Sequence, residues 1–170
     1  MTMMRDQLQA ISFKPKSMVP IITGIVAALI MILPLGTTTA SYAMPNLVLM
    51  TVFYWSNYRP LQMPLGGAAL IGIFLDLWLA VPLGLNMLLA IATHVFVMEQ
   101  LRHISGRSPF VQWAIFAMLI AGLSVISWVL VSFVFREFIA FLPVFKQALL
   151  TIFIYPLVAM ILSHIRATLS

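Results

Sequence analysis

The sequence predicts an all-α integral membrane protein of about six transmembrane helices with both termini in the cytoplasm. Three observations carry this. Of the 170 residues, 63% are hydrophobic and 8% charged, with a mean hydropathy of +1.11. A water-soluble domain of this length cannot hide so much apolar surface. The apolar residues also fall into runs close to the ~20 residues that cross a bilayer, enough for five or six spans and no soluble domain. Finally, the Lys and Arg residues divide unevenly between the loops of the two sides.

Met1 to Ser17 is polar, with Met4, Leu8 and Ile11 on one helical face. It reads either as a short interfacial amphipathic helix on the cytoplasmic leaflet or as a disordered tail. One polytopic domain then covers 18–166, and 167–170 is a cytoplasmic tail. The first span, about 18–35, has the character of a retained span rather than a cleaved signal, and Gly36-Thr37-Thr38-Thr39 closes it. The second, about 44–57, ends in Tyr54, Trp55 and Tyr58, an expected aromatic interface belt followed by Arg59. The third and fourth, about 65–81 and 83–98, are separated only by Val81-Pro82-Leu83-Gly84, so an antiparallel hairpin is expected. The fifth is about 111–135. The sixth is about 147–164, with Pro156 expected to kink it. Between them, Arg136 to Lys146 is apolar but interrupted by Pro143, and reads as an interfacial or re-entrant turn or as a ragged end of span five.

Six spans put Arg5, Lys14, Lys16, Arg59, Arg102, Arg107 and Arg166 on the side of the termini, and only Arg136 and Lys146 on the other. The positive-inside rule makes the first side cytoplasmic. A five-span count would move Arg166 across and weaken the division. The net charge of +5 is scattered among loops and does not point to nucleic acid. The absence of cysteine excludes thiol catalysis, disulfides and iron–sulfur ligation. No H-E-x-x-H, G-x-S-x-G or P-loop pattern is present, so no catalytic, cofactor-binding or metal-binding residues are assigned.

Asp76 is the acidic residue in the middle of an apolar span. A carboxylate there costs about 2.5–3.5 kcal/mol on insertion scales, so it must hold helices together or act on something. Ala68, Gly72, Asp76 and Ala80 recur every four residues as a small-residue stripe. Asn86, Ala90 and His94 form a matching stripe on the fourth span. The tight turn sets Asp76 level with about Ala90, which makes an Asp76–Asn86 or Asp76–His94 contact possible. A buried polar clasp is preferred over a proton or ion site, because a pathway needs several polar residues. Asp76→Ala is then expected to loosen the hairpin, and Asp76→Asn to be milder. Glu99, Arg102 and His103 read as a solvated helix end rather than a metal site. His164 beside Arg166 reads as interfacial snorkelling. Gly24 with Ala28 on span one, and Ala114, Ala117, Ala121 and Ser124 on span five, are helix-packing faces that equally suit a partner's span.

At these residues the chain resembles the rod shape-determining protein MreD family. The match covers about Pro45 to Arg102. It reads as Tyr54-Trp55 then Pro60, Gly66-Gly67, Gly72-x-x-x-Asp76-Leu77, and Pro82-Leu83-Gly84. Chain size, the short polar amino end, Tyr155-Pro156 in the last span and the terminal Arg166 also resemble that family. The chain departs from it at Leu79-Ala80, where members often carry Gly or Ser, and at Asn86, where many have His. Asn keeps hydrogen-bonding capacity but cannot be protonated.

The resemblance implies a non-enzymatic subunit of the bacterial cell-elongation machinery in the cytoplasmic (inner) membrane. Its implied partners are the lipid bilayer and MreC, and through MreC the MreB filaments, RodA and a class B penicillin-binding protein. It also implies a six-helix fold resembling the substrate-binding components of ECF transporters, and fold does not fix function. The structural and partner-interface candidates are Asp76, Gly72, Pro82, Gly84, Asn86, His94, Pro60 and Trp55. The alternative function is a substrate-capture subunit of a small-solute, vitamin-like importer, which requires a polar, outward-facing pocket.

Overall fold

A computed structural model describes residues 18–33, 44–79, 81–104, 108–138 and 140–168. These form six α-helices, with no strand among the described residues: α1 (Val19–Ile32), α2 (Leu47–Tyr58), α3 (Leu65–Asp76), α4 (Leu85–Ile104), α5 (Pro109–Phe135) and α6 (Phe141–Thr168). The amino-terminal segment with Met4, Leu8 and Ile11, the Thr37–Ser41 stretch and Ala80 lie outside the described residues.

Prolines set several boundaries. Leu33 leaves α1 with ψ 127, the extended geometry that the following Pro34 imposes. Arg59 precedes Pro60 and likewise leaves the helical conformation, with φ −143 and ψ 65, before a short 3-10 turn over Pro60–Gln62. Pro109 opens α5, where a missing N–H is harmless. Asn46 caps α2 by accepting from Leu49 N at 3.1 Å, and its own N–H donates to Thr151 Oγ1 on α6 at 3.0 Å.

The helices differ greatly in length. At 1.5 Å per residue, α2 and α3, with 12 residues each, extend only about 18 Å, against about 40 Å for α5 with its 27. Two helices, α5 and α6, are long and apolar enough to cross a membrane, while α1, α3 and the Leu85–Gln100 part of α4 are shorter apolar helices. The last helix differs most from the expected spans. It begins at Phe141, not near 147, so most of Arg136 to Lys146 is its first turns rather than a re-entrant turn. Pro143 is the third residue of that helix, where a proline costs no hydrogen bond.

The core is built around α2. Every residue from Val48 to Asn57 is buried, so this helix is surrounded on all sides. Phe53 meets Phe116 of α5 and Tyr155 of α6 edge-on, at centroid distances of 5.0 and 5.7 Å, and Phe116 stacks on Tyr155 at 4.1 Å. Trp55 is fully buried and donates its indole N–H to Thr23 Oγ1 of α1 at 2.8 Å. It therefore forms part of the core rather than an interface belt. Tyr54 is buried with it, and only Tyr58 of the three aromatics reaches the surface.

Helix α6 runs through Pro156 without a break. A proline has no N–H to give to the carbonyl four residues earlier, which is Ile152 O. That carbonyl instead accepts the indole N–H of Trp113 from α5 at 2.9 Å. The proline's missing bond thus becomes a tie between the two longest helices.

The contacts fix an up-and-down arrangement. Ile21 and Gly24 of α1 lie beside Gly67 and Ile71 of α3, so those helices run parallel. At one end, which we call the terminal end, the ends of α2 and α6 meet the start of α5. There Tyr58 donates to Gln112 at 2.7 Å and Arg166 lies 4.1 Å over the Tyr58 ring. At the opposite end, the cap end, α3 turns into α4 and α5 into α6.

Candidate functional site

The turn between α3 and α4 is longer than the sequence suggests. Helix α3 stops at Asp76 and α4 starts at Leu85, leaving an eight-residue turn. Asp76 consequently lies level with Asn86 and Met87 at the very start of α4, not with Ala90. His94 is two turns further along, beyond its reach.

The Asp76 carboxylate accepts four hydrogen bonds. Oδ1 takes the backbone N–H of Asn86 at 2.9 Å and the side-chain Nδ2 of Asn86 at 2.9 Å. Oδ2 takes the backbone N–H of Gly84 at 3.0 Å and of Met87 at 3.1 Å. Asp76 is only 3% exposed. A helix start leaves four N–H groups without intrahelical partners. Here Leu85 N donates to Pro82 O at 3.1 Å, Leu88 N to Gly84 O at 2.9 Å, and Asp76 takes the remaining two. The first turn of α4 is fully satisfied, and the carboxylate sits where the helix dipole favours negative charge.

The neighbouring candidates serve this cap. Gly84 has φ +96, a backbone conformation open to glycine and strained for other residues, and its N–H faces Asp76. Pro82 supplies the carbonyl for Leu85. Gly72, one turn before Asp76, lies so close to α4 that an added Cβ would sit 2.5 Å from Met87 Cα and 2.7 Å from Asn86 O. Backbone meets backbone there, and only glycine permits it. Gly72, Asp76, Pro82, Gly84 and Asn86 are thus one structural unit.

Three sequence candidates lie elsewhere. His94 is buried and pairs through Nδ1 with Ser56 Oγ of α2 at 2.8 Å. Trp55 holds α1, as described above, and Pro60 opens the turn that ends α2. Glu99 and His164 are exposed; the side chain of His103 lies outside the described residues. Among the described residues no group of three or more His, Cys, Asp or Glu is placed to hold a metal ion.

Sequence reading missed a second polar group at the terminal end. Asn57 Nδ2 and Tyr58 Oη both donate to Gln112 Oε1, at 3.2 and 2.7 Å. Arg166 lies over the rings of Tyr58 and Tyr54, at 4.1 and 5.9 Å. Gln112 and Asn57 are far apart in sequence and neither belongs to a motif. Only the burial of α2 on all sides brings them together.

Comparison with protein-family models, with curated proteins and with solved structures finds no match to this chain.

The Ser56 hydroxyl and the His94 imidazole form a buried pair apart from the Asp76 cap. Both oxygens of the buried carboxylate are occupied by donors from its own hairpin. What the site can do is hold α3 and α4 in fixed register and satisfy the backbone where α4 begins. At the same end, bordered by Asn86, the helices leave a cavity of about 340 Å³.

Proposed function

We propose that this chain is a multi-pass scaffold of the bacterial cytoplasmic membrane, of the MreD type, that supports the cell-elongation machinery during lateral wall synthesis. One observation carries the reading. Five of the residues that carry the resemblance, Gly72, Asp76, Pro82, Leu83 and Gly84, fall in one hairpin whose close approach and hydrogen bonds are architectural. A protein that works by presenting helix faces to partner spans needs such an element.

In this reading all six helices lie in the membrane, with the terminal end cytoplasmic. Arg59 and Arg166 belong to that end, Arg136 and Lys146 to the other. Helices α1 to α3 are too short to cross alone, and backbone N–H groups at the starts of α2 and α4 bond to Asn46 and Asp76, the kind of internal partner that hydrocarbon requires. The exteriors of α5 and α6 are apolar, with Phe133, Phe153 and Met160 among the exposed residues, and suit lipid or the spans of partners. The partners are MreC and, through it, MreB, RodA and a class B penicillin-binding protein. No enzymatic role is assigned.

The test is depletion of the protein in its host, followed by cell-shape microscopy and co-purification with the bitopic partner. Rods that widen and round, with loss of partner recovery, support the scaffold. Rods that keep their width argue against it. The runner-up, a capture subunit of a small-solute importer, is favoured by the cavity alone.

A further inference from the structure

The cavity at the cap end lies within the range of small-molecule sites, about 300–1,000 Å³. Its walls come from the end of α1, the starts of α2, α4 and α6, the later half of α5 and the α3–α4 turn. Most of the lining is aliphatic or aromatic, and none of the lining residues described is charged.

The polar lining groups differ in what they have left to offer. Asn46 Oδ1 is committed to Leu49, and Thr151 Oγ1 is shared between Asn46 N and the Gln147 carbonyl. Asn86 is different. It is 8% exposed, and its Nδ2 is fixed on Asp76. Only the nitrogen of the amide can face a carboxylate, so Oδ1 is the acceptor that remains, and it has no hydrogen-bond partner among the described residues. The Gln147 side-chain amide, across the cavity on α6, likewise makes no hydrogen bond there.

We infer that this cavity binds a small uncharged molecule that is largely apolar and carries a hydrogen-bond donor, such as an amide or ring N–H, for Asn86 Oδ1. The chemistry excludes its competitors. An ionised ligand finds no counter-charge in the lining, and a buried unpaired charge is expensive. A bare acyl chain fills the volume but desolvates Asn86 Oδ1 and the Gln147 amide without replacing their water. Donor–acceptor pairing across the cavity, from α4 to α6, satisfies both. The inference is independent of the scaffold reading and stands if that reading fails.

The test uses the purified full chain in micelles, ligand-observed NMR and two probes of similar shape, indole-3-acetamide and indole-3-acetate. The amide is expected to bind at least about tenfold more tightly than the acetate, which corresponds to one well-made polar interaction. Ser124→Phe, which fills the cavity from α5, is expected to abolish saturable binding and so corrects for partition into the micelle. Asn86→Ala keeps its backbone N–H on Asp76 and is expected to weaken amide binding severalfold. If that variant does not fold, Gln147→Leu reports the same loss from the other wall. Equal binding of both probes, amide binding unaffected by Ser124→Phe, no saturable binding of either at millimolar concentration, or saturable uptake of decanol alone would each overturn the inference.

Discussion

Replacing Asp76 tests the cap directly, because its two oxygens have separate duties. In Asp76→Ala all four donors lose their acceptor. The two on Asn86 are buried, and each costs about 1–3 kcal/mol when left unpaired, so their loss alone amounts to about 2–6 kcal/mol. The donors of Gly84 and Met87 are part-buried, can regain water and add less. Asp76→Asn keeps one oxygen for the Asn86 pair but turns an NH2 towards Gly84 N and Met87 N, donor against donor. It is expected to lose about 1–3 kcal/mol. It is therefore milder than alanine, though far from neutral. The assay is equilibrium unfolding in mixed micelles titrated with SDS, read by tryptophan fluorescence. The expected order of stability is Asp76, then Asn, then Ala. If Asp76→Ala does not accumulate, the asparagine variant alone decides. An asparagine variant as stable as the parent refutes the acceptor-only cap and returns Asp76 to the status of a simple hydrogen-bonding clasp.

Glycine substitutions should separate close approach from mere composition. Gly72→Ala drives a Cβ into the α4 backbone and is expected to cost about 1–3 kcal/mol, whereas Gly66→Ala meets nothing within 4 Å and should be neutral or slightly stabilising in the same titration. Trp113→Phe orphans the Ile152 carbonyl and is expected to cost about 1–3 kcal/mol. In a Pro156→Ala background, where an N–H returns to that carbonyl, the cost should shrink, and a double-mutant cycle with no coupling refutes the tie. The chain contains no cysteine, so single cysteines report orientation cleanly. Phe138→Cys, at an exposed site of the cap end, should react with an impermeant maleimide on intact spheroplasts. Ala167→Cys should react only after permeabilisation, and the reverse pattern would invert the proposed topology.

Much of the helical layout was legible because apolar runs and prolines act locally. In the structure Pro60 follows α2, Pro64 precedes α3 and Pro109 opens α5, near the ends expected for those spans. The importance of Asp76 was legible for the same reason, since a lone carboxylate in an apolar run must be accounted for. Its geometry was not. Hydropathy continues through Leu77, Trp78 and Leu79, so it gives no sign that the helix stops at Asp76. The stop depends on donors eight to eleven residues further on. Trp55 misled in the opposite direction. Beside Arg59 it has the composition of an interface, but its indole N–H is satisfied by Thr23, on a helix whose contact with α2 no local pattern reveals. Gln112 stayed invisible because a single amide in an apolar helix carries no periodicity.

Asp76 and Pro156 expose the same constraint from two sides. An apolar layer forbids orphan backbone groups. Such a layer can still contain short helices and prolines, provided that each orphan finds a side chain. At α4 the orphans are N–H groups, and a carboxylate from the preceding helix takes them. At α6 the orphan is a carbonyl, and an indole from the preceding helix supplies its donor. In both cases the partner comes from the adjacent helix, so satisfying the backbone also fixes a helix–helix register. This is why the polar residues of the bundle interior cannot be judged by their chemistry alone. Asp76 carries a charge and Trp113 does not, yet each completes a neighbour's helix. By the same criterion, Asn86 Oδ1 and the Gln147 amide, which line the cavity and have no such duty among the described residues, are left to meet something from outside the chain.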